Sequence, residues 1–338
     1  MGQPRRNQIA LDVTPYYHLV SRCVRRQFLC GDDPLTGKDY SYRREWIRRR
    51  LGRLVDAFAV DLCAYAVMSN HYHLVVRIDE SAARSWSPAE VLRRWLSVFK
   101  GPAWMHEIIN ADHSTAFHPG VHRMIEAYRS RLMSLSWFMR CLNEPIARRA
   151  NREDGVTGHF WQGRYRCQAL ADEGAVLAAM AYVDLNPVRA GMADRPEAAS
   201  ECSALQRFSA ARSRLGPESK NPAIMSFDNG DRDAVDDKLP GPELEYLQLL
   251  DWTGRFMSRP DSAVIAADLP PIVARLGLAA SGVIEFVTGR RRYSQSMLGR
   301  PDHSAGLARQ LGRHYVRGYR SAARLFTAAD RGFNPTGG

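Results

Sequence analysis

The period of the apolar positions changes several times along the chain, and each change marks an element. Residues Tyr16 to Val24 alternate and are rich in aromatic and β-branched types, which predicts a strand. Arg22, Arg25 and Arg26 cluster at its end. From Tyr42 to Phe58 the apolar residues Trp46, Leu51, Leu54, Val55 and Phe58 share one helical face, opposite Arg44, Arg48, Arg49 and Arg53. Val60 to Met68 and His71 to Ile78 flank the short turn Ser69-Asn70 and read as a β-hairpin. Ser87-Pro88-Ala89-Glu90 is a helix start, with a capping Ser, Pro at the first helical position and Glu three residues after the Ser. That helix runs to about Phe99, and Gly101 to Gly120 reads as a loop. Two helical patterns follow, Val121 to Leu132 and Leu135 to Asn151. Gly158 to Leu170 is aromatic and basic, as in a strand or extended loop. Asp172 caps a further helix, Glu173 to Leu185, which Asn186-Pro187 is expected to stop.

Composition shifts after Ala199, and Gly216 to Pro242 is rich in Pro, Asp, Gly and Asn with little periodicity. Residues 1–200 are therefore expected to form one domain, 201–242 a linker, and 243–338 a smaller helical accessory domain. In that last segment Tyr246 starts a helix, and Asp268–Leu278 and Ser281–Thr288 read as two shorter ones. A helix from Ser304 to Phe326 would line Arg309, Arg313, Arg317, Arg320 and Arg324 along one basic stripe, either a DNA-binding surface or a solvated face.

Charge narrows the function classes. The 338 residues carry 47 Lys plus Arg against 36 acids, a net +11, and all but Lys38, Lys100, Lys220 and Lys238 of the basic residues are Arg. Arg forks onto phosphate and stacks on bases, so a polyanion, and nucleic acid above all, is the expected partner. The longest apolar run, Ala175 to Val183, is about half of a membrane span. The first residues lack the apolar segment of a secretory signal, and Arg6 stands where a myristoylation signal wants Ser or Thr, so a cytoplasmic protein is expected. The six cysteines form no C-x-x-C pair, which suits reduced thiols rather than a zinc ribbon.

Two short constellations carry chemistry. On a strand, residues two apart point the same way, so His71 and His73 aim two imidazoles in one direction, with Tyr72 on the other face. Such a pair suits a divalent cation, or it is a pair of hydrogen-bonded surface histidines. Tyr182 and Asn186, four apart, share a helical face. A phenol is a poor nucleophile at its free pKa of about 10, and a nearby cation would favour the phenolate. The amide oxygen of Asn186 is one that a hard cation accepts. The alternative is a buried Tyr with a satisfied hydroxyl and an Asn that ends a helix.

Taken in order, His71-Tyr72-His73, then Gly158-His-Phe-Trp-Gln-Gly-Arg-Tyr165, then Tyr182-Val-Asp-Leu-Asn-Pro-Val-Arg-Ala-Gly191 resembles the single-tyrosine HUH transposases, in particular the REP-associated tyrosine transposases of insertion-sequence type. The resemblance spans residues 10–200. It implies an α+β fold with an RRM-like (ferredoxin-like) antiparallel sheet flanked by helices, acting on single-stranded or hairpin DNA as a monomer or homodimer. It implies His71 and His73 as metal ligands with Asn186 completing the site, Mg²⁺ or Mn²⁺ as the cofactor, and Tyr182 as the nucleophile that forms a 5′-phosphotyrosine. Two imidazoles and an amide would equally tolerate Zn²⁺ or Ni²⁺. Trp161 and Tyr165 are expected to stack unpaired bases while Arg164 and Arg166 hold phosphates, with Arg22, Arg25 and Arg26 as a second patch. A non-catalytic DNA-binding protein on the same scaffold is one alternative. A replication initiator or relaxase is another, though such proteins often add a helicase domain, and no nucleotide-binding loop occurs here.

Overall fold

The computed structural model describes residues 9–24, 28–34, 36–110, 118–212, 221–228, 238–258, 270–289, 297–310 and 322–326. The fold is mixed α+β, with a five-stranded sheet in the order β2-β3-β1-β4-β5. The strands are β1 (Tyr16–Arg22), β2 (Val60–Val67), β3 (His71–Ile78), β4 (Arg166–Leu170) and β5 (Met297–Leu298). The first four keep the order of a ferredoxin-like sheet. β2 and β3 pair antiparallel, as the hairpin pattern requires, whereas β4 and β5 pair parallel. β5 is a correction to the sequence reading, because it comes from the segment expected to be helical; two residues are too few to show a period.

The chain divides into two compact units, Leu19–Arg166 with Arg212–Met225, and Met1–His18 with Cys167–Ala211 and Ser226–Gly338. This division runs elsewhere than the boundaries at 200 and 242 drawn from composition.

In the first unit the hairpin is buried on both faces from Tyr72 to Ile78, and its register slips between Leu62 and Ala64, where Cys63 bulges against Met225 Sδ at 3.5 Å. The backbone N–H of Met225 donates to the Leu62 carbonyl at 2.8 Å. Helix α1 (Arg43–Ala57) buries Leu51 and Leu54 of the face that the pattern marked, together with Ile47, whereas Trp46 and Val55 of that face are only partly buried. α2 (Glu80–Ser85) leads to α3 (Pro88–Val98), whose Ser87 cap accepts from the Glu90 N–H at 3.2 Å. The expected loop from Gly101 instead contains α4 (Trp104–Asn110), a seven-residue helix whose single buried residue, Met105, leaves no periodic signal. α5 (Pro119–Leu132) and α6 (Leu135–Glu153) complete the unit. α6 runs through Pro145, which cannot donate to the Cys141 carbonyl four residues back; Arg50 Nε donates to that carbonyl instead, at 2.9 Å.

The second unit is built on α7 (Glu173–Asp184), capped by Asp172, whose side chain accepts from the Ala175 N–H at 2.8 Å. Asn186-Pro187 does not end the helical path. A four-residue helix, α8 (Asn186–Arg189), starts there, with Pro187 in its first turn, where no N–H is needed. The expected linker contains α9 (Ser203–Arg212), whose buried Arg207 pairs with Glu243 at 3.1 Å and lies 4.8 Å from the Phe227 ring. Composition marked a linker here because the polar residues have buried partners that sequence does not reveal. α10 (Glu243–Ser258), α11 (Pro271–Arg275), α12 (Ala280–Val287) and α13 (Pro301–Gln310) follow. Arg324 lies in a turn rather than in a helix reaching Phe326.

All six cysteines are buried. Among the described residues, no helix is long and apolar enough to cross a membrane.

Candidate active site

β3 starts immediately after the Ser69-Asn70 turn, which puts its first and third residues on one face. The rings of His71 and His73 lie 4.9 Å apart between centroids, inclined at 72°. His73 is buried, and His71 is half-buried. His71 Nδ1 sits 2.7 Å from the Asn70 side-chain oxygen. An amide oxygen can only accept, so Nδ1 donates to it, and Nε2 is the nitrogen through which His71 would meet a cation.

The opposite face of the strand is core. Tyr72 donates to Asn143 Oδ1 at 2.6 Å, and Asn143 Nδ2 donates to Ser21 Oγ at 3.0 Å. Trp161, expected to stack on DNA, meets Tyr72 edge-on at 5.6 Å and donates its indole N–H to the Asn143 carbonyl at 2.9 Å. Tyr165 is buried, its hydroxyl 3.4 Å from Ser136 Oγ, so its ring face is not offered to a base. Arg22, Arg164 and Arg166 are exposed. Arg25 and Arg26 lie outside the described residues, as do Arg313, Arg317 and Arg320; Arg309 is exposed on α13.

The second unit presents the phenol. From Gly174 to Pro187 every residue is buried except Tyr182, which is half-buried. Beyond Tyr182, Asp184 fixes the helix from another side. Its carboxylate accepts from Ser203 Oγ at 2.5 Å and from Tyr246 Oη at 2.7 Å. Burial pushes its pKa up, opposed by those hydrogen bonds and by Arg207.

Around the Tyr182 ring stand His18, edge-on at 5.9 Å, and Phe286 of α12, tilted at 5.5 Å. His18 Nδ1 is 3.4 Å from Gln168 Oε1. Burial lowers the His18 pKa to about 4, the Gln168 contact opposing and the Arg189 charge adding, so its ring is neutral at pH 7.

Arg189 is the residue that the sequence reading passed over. Its Nη2 donates to Tyr182 Oη at 3.0 Å and to Asn186 Oδ1 at 2.5 Å, and Nη1 donates to the Val287 carbonyl at 3.3 Å. The guanidinium carbon is 4.3 Å from the centre of the Tyr182 ring. Positions 182, 186 and 189 follow one another at the helical neighbour spacings of four and three, which is a signal only if the helical path runs on past Pro187.

These contacts bear on metal binding. The imidazole pair fits a divalent cation, since Asn70 fixes the tautomer of His71. Asn186 does not fit as arranged. Its oxygen is engaged by a guanidinium, and its buried Nδ2, a donor, has no hydrogen-bond partner among the described residues. Among the described residues no three His, Cys, Asp or Glu side chains are grouped to hold a metal.

No family model matches the sequence, and no curated protein does. Among solved structures, the chain is distantly similar to one described as a REP-associated tyrosine transposase bound to a REP hairpin. The identity is 11% and the TM-score 0.33, over 67% of this chain and 100% of the other.

Proposed function

We propose that the protein cleaves and rejoins single-stranded DNA at hairpin-containing sites through a 5′-phosphotyrosine intermediate, as a transposase or a related endonuclease. The observation that carries this reading is the placement of Tyr182: a polar, half-buried phenol on a stretch otherwise buried from Gly174 to Pro187, its hydroxyl held by a guanidinium. The ordered motifs that contain His71, His73, Tyr182 and Asn186 point the same way.

In this mechanism Tyr182 Oη attacks the scissile phosphorus in line. The Oη–P bond forms, the P–O3′ bond breaks, and the phenolic proton is replaced by one on the departing 3′-oxygen. The covalent link conserves the phosphodiester energy, so attack by a 3′-hydroxyl reverses the step without ATP. His71 and His73 would hold Mg²⁺ or Mn²⁺, which when bound supplies Lewis-acid polarisation of the phosphate. Neutral His18 and Phe286 flank the nucleophile's ring and limit its rotation. Exposed Arg22, Arg164 and Arg166 are the phosphate-holding residues of the hairpin unit.

The test uses purified protein, Mn²⁺ and a panel of end-labelled single-stranded hairpin DNAs, including any inverted repeats found beside the gene. A denaturing gel should show a protein–DNA adduct with the wild type and none with Tyr182→Phe, while DNA binding is kept. Adduct persisting in the Phe variant would refute the assignment. Wild-type binding with no adduct would favour a non-catalytic DNA-binding protein.

A further inference from the structure

We propose that Arg189, oriented by Asn186, is a catalytic residue that binds the non-bridging oxygens of the phosphate under attack. This role rests on the phosphotyrosine reading above and adds to it the group that meets the developing charge.

The geometry points there in three ways. First, Arg189 Nη2 already touches the atom that attacks, at 3.0 Å from Tyr182 Oη. A phosphate poised for in-line attack has its phosphorus about 3–3.5 Å from the nucleophilic oxygen. Its non-bridging oxygens then come within reach of a guanidinium that touches the same oxygen. Second, Arg189 is half-buried and has donors to spare. Three of its five N–H groups go to Tyr182, Asn186 and Val287, leaving two without a partner among the described residues. Third, the amide of Asn186, 2% exposed, turns its oxygen to Arg189 and leaves its own Nδ2 unpartnered among the described residues. A buried amide N–H left without an acceptor is costly, and an anionic oxygen satisfies it.

Asn186 is thus a positioning residue for the guanidinium. A divalent cation on the same amide oxygen would stand beside the guanidinium and be repelled by it. The carbonyl of Val287 and the close approach of Gly289, where an added Cβ would meet Arg189 Nη1 at 3.2 Å, hold the guanidinium from the α12 side. Gly289 has a φ of 67°, which favours glycine there. In the reaction the Oη–P bond forms and the P–O3′ bond breaks with the charge of the five-coordinate phosphorus paired to Arg189, and no proton leaves the guanidinium.

The experiment compares two single-stranded hairpin DNAs, one with the natural scissile phosphate and one with a methylphosphonate there, which removes the negative charge. On phosphate DNA, Arg189→Ala and Arg189→Gln should slow adduct formation by about 10²–10³-fold, with binding affinity within a few-fold of wild type, and Arg189→Lys should recover part of the rate. On methylphosphonate DNA the Ala and Gln variants should match the wild type within a few-fold, since there is no charge left to pair. Equal losses on both DNAs would mean that Arg189 only holds the fold. A Gln variant as fast as wild type on phosphate would also overturn the proposal. A wild type that forms no adduct would sink the phosphotyrosine reading itself, a result distinct from either.

Discussion

Lowering the pH from 7 to 4 sets proton uptake against the packing around His18. In the folded chain this imidazole is buried against Gln168, Tyr182 and the charge of Arg189, and its pKa falls from 6.5 to about 4. Unfolded, it titrates near 6.5, so between the two values the unfolded state binds more protons. Stability therefore rises with pH across that window, is fully present above pH 6.5 and is lost as the pH falls towards 4. The shift is worth about 2 kcal/mol of lost stability by pH 5 and about 3 kcal/mol by pH 4. Carboxylates also titrate in this range, so the measurement is the difference between wild type and His18→Asn, which keeps a polar atom near the Nδ1 position. Urea unfolding at half-unit pH steps from 7 to 4 should show the wild type losing stability faster than the variant by those amounts. A difference that stays flat within about 0.5 kcal/mol would refute the burial argument for His18, as would one that grows above pH 6.5.

Other perturbations test other parts of the account. Tyr246→Phe removes a donor from the buried Asp184 carboxylate and should cost about 1–3 kcal/mol, read as a lower urea midpoint with unchanged slope. Asn70→Ala releases the tautomer of His71 and should weaken Mn²⁺ binding about 10-fold or more by calorimetry. Because Asn70 is exposed, its loss should leave folding stability within about 0.5 kcal/mol; unchanged Mn²⁺ affinity would remove Asn70 from the site.

Elements with long, regular periods were legible in the sequence. The Tyr42–Phe58 face, the Ser69-Asn70 hairpin and the Ser87 cap each rest on spacing and local chemistry, which a single chain carries within itself. What stayed hidden depends on partners distant in sequence. α9 looks like linker in the sequence because the partners of Arg207 and Ser203, Glu243 and Asp184, lie 36 and 19 residues away. Trp161 and Tyr165 read as stacking platforms from an aromatic–basic pattern. Their partners Asn143 and Ser136, which tie them to the fold, lie in α6, outside that pattern. The His71–His73 pair and the helix of Tyr182 were recognisable because each fits within a few residues. The contact between Arg189 and the Tyr182 hydroxyl was not, because it depends on the helical path continuing past Pro187 when the X-Pro pair reads as a stop.

The central claim is that Tyr182 becomes covalently joined to the 5′ side of a DNA break. The most direct measurement is peptide mass spectrometry after incubation with single-stranded hairpin DNA and Mn²⁺ and nuclease trimming of the bound strand. The account predicts a nucleotide mass linked through a 5′-phosphate on the peptide that contains Tyr182. Strand cleavage with the nucleotide on a different residue, or with no protein-linked nucleotide at all, would contradict it.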